Sequence, residues 1–241
     1  MMIEVCVDRV QSAINAQKGG ADRLELCQDL ALGGTTPSKG LVVQTQKNVR
    51  LPIMAMIRPR GGDFCYDGYE FECMLEDIRL MKELRVEGIV VGILTPDGRI
   101  DMERMQKVMD EAQGMEVVCH RAFDMTRDLT EALFDLEKLG ITRVLTAGGY
   151  DKAPDGIENI KRLIAKNSSI TVMPGSGVGA ENAKFFEQIG AKEIHLSGKV
   201  RIKSKMQYQN PNVGMGSASA DDEYTIEETS VEKIAAIKEM F

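Results

Sequence analysis

Two short patterns, Glu4-Val5-Cys6 and Glu25-Leu26-Cys27, each set a carboxylate two residues before a thiol. Residues two apart in an extended strand share a face, so each pattern presents both groups on one side. If the two strands are neighbours, Cys6 and Cys27 can meet, and a pair of thiolates suits a soft metal ion such as Cu(I). The competing explanation is packing, because cysteine is among the most buried residue types. No Cys-x-x-Cys and no His-x-x-x-His occurs, which argues against a conventional zinc site. The fifteen methionines are scattered and read as core filling.

A second constellation is the run Cys119-His120-Arg121-Ala122-Phe123-Asp124. His120 can act as a general acid or base, since imidazole titrates near neutrality. Arg121, with Arg58 earlier in the chain, can grip a carboxylate or phosphate through paired N–H donors, and Asp124 can orient either partner. A salt-bridged structural rim would use the same residue types. His195 is the only other histidine. Glycine-rich turns at Gly148-Gly149, Gly175-Ser176-Gly177 and Ser197-Gly198-Lys199 offer backbone N–H groups to an anion, although glycine there also serves positive φ. The candidate catalytic residues are therefore His120, Arg121, Asp124 and Glu25. The candidate ligand-binding residues are Arg58, Arg121, Gly148, Gly149, Gly175, Ser176, Gly177 and His195, and the candidate metal ligands are Cys6 and Cys27.

These residues recur at the ends of β-rich runs. Strands are predicted at 3–7, 23–27, 53–58, 88–94, 116–121, 143–147, 170–174 and 193–197. Helices are predicted at 9–18, 39–48, 70–84, 102–113, 129–139, 157–166, 180–189 and 231–240. Leu129, Leu133, Leu136 and Leu139 give the fifth helix a clear apolar face. Regular alternation of strand and helix implies parallel βαβ units, and eight of them in 241 residues fit a single (β/α)8 TIM barrel spanning 1–241. A doubly wound sheet would carry a Gly-rich fingerprint after the first strand, where this chain has Cys6-Val7-Asp8-Arg9-Val10-Gln11. In a barrel the C-terminal strand ends surround the site. Glu4, Cys6, Asp8, Glu25, Cys27, Arg58, Arg60, Cys119, His120, Arg121, Asp124, Thr146, Ser176, His195 and Ser197 all fall there, whereas the fourth strand supplies nothing polar before Thr95. A long loop is predicted at 198–229, read as a lid, an oligomer contact or a floppy insertion.

The chain carries 30 Lys+Arg against 37 Asp+Glu, a formal charge of −7, which disfavours a general nucleic-acid binder. No apolar run approaches the ~20 residues that cross a bilayer, so no membrane partner is expected. Five well-spread cysteines, with no signal-peptide pattern at the start, fit free thiols in the cytoplasm.

The stretches Gly19-Gly20-Ala21-Asp22-Arg23-Leu24-Glu25-Leu26-Cys27 and Gly33-Gly34-Thr35-Thr36-Pro37-Ser38 resemble the signature of the copper homeostasis protein CutC family. Ile57-Arg58-Pro59-Arg60-Gly61-Gly62-Asp63-Phe64, His120-Arg121-Ala122-Phe123-Asp124, Leu145-Thr146-Ala147-Gly148-Gly149 and Asn210-Pro211-Asn212-Val213 are similar to its other blocks. The resemblance runs through essentially the whole chain. It implies a cytosolic (β/α)8 barrel, a homo-oligomer, and Cu(I) held by Cys6 and Cys27; it supplies no reaction. Two functions stand open: a Cu(I)-binding protein of copper homeostasis, or a barrel enzyme acting on a small anionic substrate, phosphorylated or not.

Overall fold

The computed structural model describes residues 1–214 and 222–241. Eight parallel strands are β1 (Met2–Val7), β2 (Arg23–Leu26), β3 (Ile53–Met56), β4 (Gly88–Val91), β5 (Glu116–Cys119), β6 (Arg143–Thr146), β7 (Thr171–Pro174) and β8 (Glu193–Leu196). They lie in the order β7-β6-β5-β4-β3-β2-β1-β8, and a bridge between Gly175 and His195 brings the two ends together into a nearly closed barrel. The helices are α1 (Val10–Lys18), α2 (Lys39–Asn48), α3 (Gly68–Glu83), α4 (Met102–Glu111), α5 (Leu129–Lys138), α6 (Ile157–Ala165), α7 (Ala183–Gln188) and α8 (Val231–Lys238). The predicted (β/α)8 barrel is thus observed, with each predicted strand and helix in its place.

Local chemistry explains the boundaries. Side-chain oxygens of Ser38, Asp67, Asp101, Asp128 and Ser230 accept backbone N–H bonds at the starts of α2, α3, α4, α5 and α8. Asp67 and Glu70 complete a capping box on α3. Helix α7 starts later than the predicted 180 because Asn182 ties the preceding turn, accepting from Gly179 N–H and donating to Gly177 O. Outward strand residues such as Ile3, Val5, Val7, Leu24 and Leu26 are buried with helix residues such as Ala13, Ala16, Ile234 and Ile237 in the main core. Cys119 belongs to this outer layer and donates to the His120 carbonyl. Inward residues Cys27, Met54, Met56, Val90 and Val118 form a separate cluster inside the barrel.

The predicted loop 198–229 requires correction. Its ends form an antiparallel hairpin, β9 (Lys199–Lys203) with β10 (Thr225–Thr229). The hairpin is tied to α1: Asn15 donates to Thr229 O, Thr229 N–H donates to Ser12, and Arg9 pairs with Glu228. Residues 215–221 of that loop lie outside the described residues.

Candidate functional site

The strand register builds the site. Glu4 on β1 pairs with Arg23 on β2 and with His195 on β8, while Cys6 pairs with Glu25. All these side chains alternate inward, so Glu4 sits between a guanidinium and an imidazole, and Cys6 stands beside a carboxyl. His195 Nδ1 donates to Glu4 Oε1 at 2.8 Å, and its Nε2 lies 3.7 Å from Glu25 Oε2. The ligand atoms of Cys6, Glu25 and His195 all fall within 4.8 Å of one another. Cys27 Sγ donates to Glu25 Oε2 at 3.4 Å, so the second thiol joins the cluster through that carboxyl. The other Glu25 oxygen, Oε1, is buried without a hydrogen-bond partner.

Burial and charge oppose one another here. Burial alone would raise Glu4, but His195 and Arg23 outweigh it and hold its pKa at about 2. Burial pushes Glu25 up against the charge of His195, and the neighbouring Glu4 adds to the rise. For His195, burial favours the neutral ring. The charges of Cys6 and Glu25, with hydrogen bonds to Cys6 and Glu4, win and hold its pKa well above the ordinary value. Burial, followed by the charges of Glu25 and Cys6, drives the Cys27 thiol far above its usual range.

Beneath this layer lies a floor that the sequence reading missed. Arg23 bonds Glu4 and, at 2.6 Å, Glu193; Arg143 grips Glu193 through Nε and Nη2 and also bonds Glu116. Arg23 and Arg143 are buried, and their charges are balanced by carboxylates. Their signal in the sequence is a charged residue opening each of β2, β6 and β8.

Above the layer opens a cavity of about 1170 Å³, lined by Cys6, Glu25, Arg58, Phe64, His120, Arg121, Asp124, Gly149, Ser176, Gly177 and His195 among others. Cys27, Gly148 and Gly175 are not in its wall. Arg58 donates to the carbonyls of Leu32, Gly34 and Gly62, leaving its buried Nε unpartnered. Its guanidinium stands 5.0 Å from the Phe64 ring centre, and Phe64 in turn packs 4.8 Å from the His120 ring. His120 accepts the Ala122 N–H on Nδ1, so the neutral ring carries its proton on Nε2, which is buried and unpartnered. Burial, aided by the charge of Arg58, pushes the His120 pKa down to about 3.

The remaining candidates are tied into the scaffold. Asp124 accepts from Arg121 Nε, Thr146 Oγ1, and the N–H groups of Ala147 and Gly149. Arg121 also donates to Tyr150 O. Gly148 N–H donates to Thr146 Oγ1, Gly175 N–H to Thr146 O, and Ser176 Oγ to Asp151 O. Arg60 is engaged by Glu70 and Asp63 at the start of α3.

The barrel, its charge-balanced floor and the cavity on its C-terminal face define a (β/α)8 protein with a buried thiol–carboxyl–imidazole cluster. Within that class, the model of the CutC family matches residues 1–200, and the chain belongs to this family. It is 44% identical over 238 residues to the copper homeostasis protein cutC homolog of Homo sapiens, covering 98% of this chain and 87% of that one. A family protein CutC of Salmonella typhimurium is 43% identical over 224 residues, covering 93% and 90%. Among solved structures, a CutC from Streptococcus agalactiae superposes with a TM-score of 0.77 at 35% identity, covering 82% of this chain and 98% of that one. Thiamine phosphate pyrophosphorylase from Pyrococcus furiosus matches at a TM-score of 0.60 over 99% of this chain and 94% of its own, but at 12% identity this is likeness of fold alone.

Proposed function

We propose that the protein binds Cu(I) in the barrel interior and serves copper homeostasis, with Cys6 and His195 as principal ligands and Cys27 as the further thiol. The carrying observation is the cluster of Cys6, Glu25 and His195 ligand atoms within 4.8 Å of one another. Thiolate and imidazole are suitable donors for Cu(I). Glu4, bonded to His195 Nδ1, orients the ring so that Nε2 faces the cluster, the arrangement by which a carboxylate supports a metal-bound histidine. The name of the human relative supports the copper role. The reading sets the chain in the cytoplasm, where its five free cysteines stay reduced, and as a homo-oligomer. No helix among the described residues is long and apolar enough to cross a membrane.

Competition against a Cu(I) chelator tests it. Wild type is expected to take about one equivalent, with a large affinity loss in Cys6→Ser and in His195→Gln. Undiminished binding by a Cys6→Ser/Cys27→Ser double variant would overturn the proposal.

A second reading is favoured by the cavity itself. A volume of about 1170 Å³ exceeds what one ion needs, and the buried Arg58 charge has no carboxylate within ion-pair distance among the described residues. Both features suit a small anionic ligand, and with it an enzyme. The melting temperature with added anions tests this reading. A rise beyond that produced by matched chloride supports it, and no rise rejects it.

A further inference from the structure

The cavity wall narrows the kind of anion. We propose that Arg58, Phe64 and His120 form a receptor for the carboxylate of a small organic acid, with Arg58 Nε–H and His120 Nε2–H as donors to its oxygens. The inference rests on the anionic-ligand reading and is independent of copper.

Three observations support it. First, Arg58 and His120 keep only 5% and 3% of their surface exposed, yet each retains an N–H without a partner. Buried polar groups are almost always hydrogen-bonded, and two unpartnered donors in one cavity wall call for an acceptor from outside the chain. Second, the Arg58 guanidinium bonds the neutral carbonyls of Leu32, Gly34 and Gly62 and lies against the neutral Tyr66 hydroxyl, with no carboxylate among these partners. These bonds fix the group in place without neutralising it, so the incoming acceptor is favoured if it is negative. Third, His120 can only donate toward a ligand, because Nδ1 already accepts from Ala122 N–H. Its depressed pKa keeps that donor neutral, so the wall carries one positive charge rather than two.

One charge and two donors match a carboxylate, which is planar, singly charged and accepts on both oxygens. A phosphate group carries more charge and more acceptors, and barrels bind it through glycine-rich turns. Here the N–H groups of Gly148, Gly149 and Gly175 are bonded within the chain. The Phe64 ring lies against both donor groups and gives the organic part of the ligand an apolar surface.

The test is NMR of the metal-free full chain with histidine labelled by ¹⁵N, titrated with acetate, pyruvate and succinate, and separately with inorganic phosphate. The His120→Asn variant assigns the His120 signals. At least one of the three carboxylates is expected to shift the His120 Nε2 resonance saturably, with a Kd at least tenfold weaker in Arg58→Gln. Lys82→Ala, on the exposed face of α3 and outside the cavity wall, should change that Kd less than threefold. Since Arg58→Gln removes three loop contacts and can compromise folding, the wild-type titration decides by itself. A shift by phosphate alone overturns the carboxylate inference and leaves the anion reading standing. No shift by any of the four overturns the inference, and the separate melting screen against other anions decides the broader reading. Carboxylate binding seen by calorimetry without movement of the His120 signal overturns the placement.

Discussion

His120 offers the sharpest test of the site's electrostatics. Burial, then the nearby charge of Arg58, lowers its pKa from 6.5 to about 3 in the folded protein. Between those values the unfolded chain binds a proton that the folded chain refuses. Stability therefore rises with pH across this window: it is full above 6.5 and is lost as pH falls toward 3. From pH 6.5 to pH 5 the interval is 1.5 pKa units, which costs about 2 kcal/mol at ~1.36 kcal/mol per unit. Urea unfolding at pH 7 and pH 5, on wild type and on His120→Asn, isolates the effect. Asparagine can still accept the Ala122 N–H but does not titrate. His195, with a raised pKa, acts in the opposite direction: its contribution grows as pH falls from that raised value to 6.5 and is full below 6.5, and it cancels because both proteins keep it. Wild type is expected to lose about 2 kcal/mol more than the variant between the two pH values. Equal losses would show that His120 protonates freely when folded, and would remove the neutral-donor argument with it.

Three further outcomes follow from single contacts. Glu4→Gln should weaken Cu(I) binding by about 10–100-fold in the chelator competition, by loosening His195, and should destabilise the fold by about 3–5 kcal/mol in denaturant unfolding, by leaving Arg23 short of its buried counter-charge. Gly148→Ala should cost at least about 2 kcal/mol in the same assay: Gly148 has φ +73°, and an added Cβ would lie 2.4 Å from Gly156 O. Cys65→Ser and Cys73→Ser should each stay within about 0.5 kcal/mol of wild type and bind Cu(I) equally, because both thiols are exposed and outside the cluster.

The barrel was legible because each βαβ unit repeats a period change, from short β-rich runs to helical faces such as Leu129, Leu133 and Leu136, between turn residues. The hairpin was equally visible in Lys199-Val200-Arg201-Ile202-Lys203, which alternates with period two, but it fell inside a stretch of loop-like composition. Strand parity also shows that Glu4, Cys6, Glu25, Cys27 and His195 share the interior. It does not show register, and only register puts Glu4 between Arg23 and His195 and sets Cys6 opposite Glu25. Asp124 illustrates the same limit. Its residue type suits catalysis, yet the fold carries it to three donors at 146–149 as well as to Arg121 in its own turn, a closure that no local pattern encodes.

The interior polar groups change character along the barrel axis, and that change separates stability from binding. On the floor, Arg23, Arg143, Glu4 and Glu193 satisfy one another, and removing one member leaves a buried charge uncompensated. At the middle layer the balance is partial: Glu25 keeps one oxygen unpartnered while His195 and Cys27 occupy the other. At the mouth, Arg58 and His120 each hold an N–H with no acceptor. Among the described residues five buried side-chain atoms lack a partner; those of Thr45 and Tyr66 belong to residues outside the cavity wall, whereas those of Glu25, Arg58 and His120 belong to residues that line it. Each unpartnered group weakens the fold, and the three in the cavity wall lie where a metal ion or an organic acid can complete them.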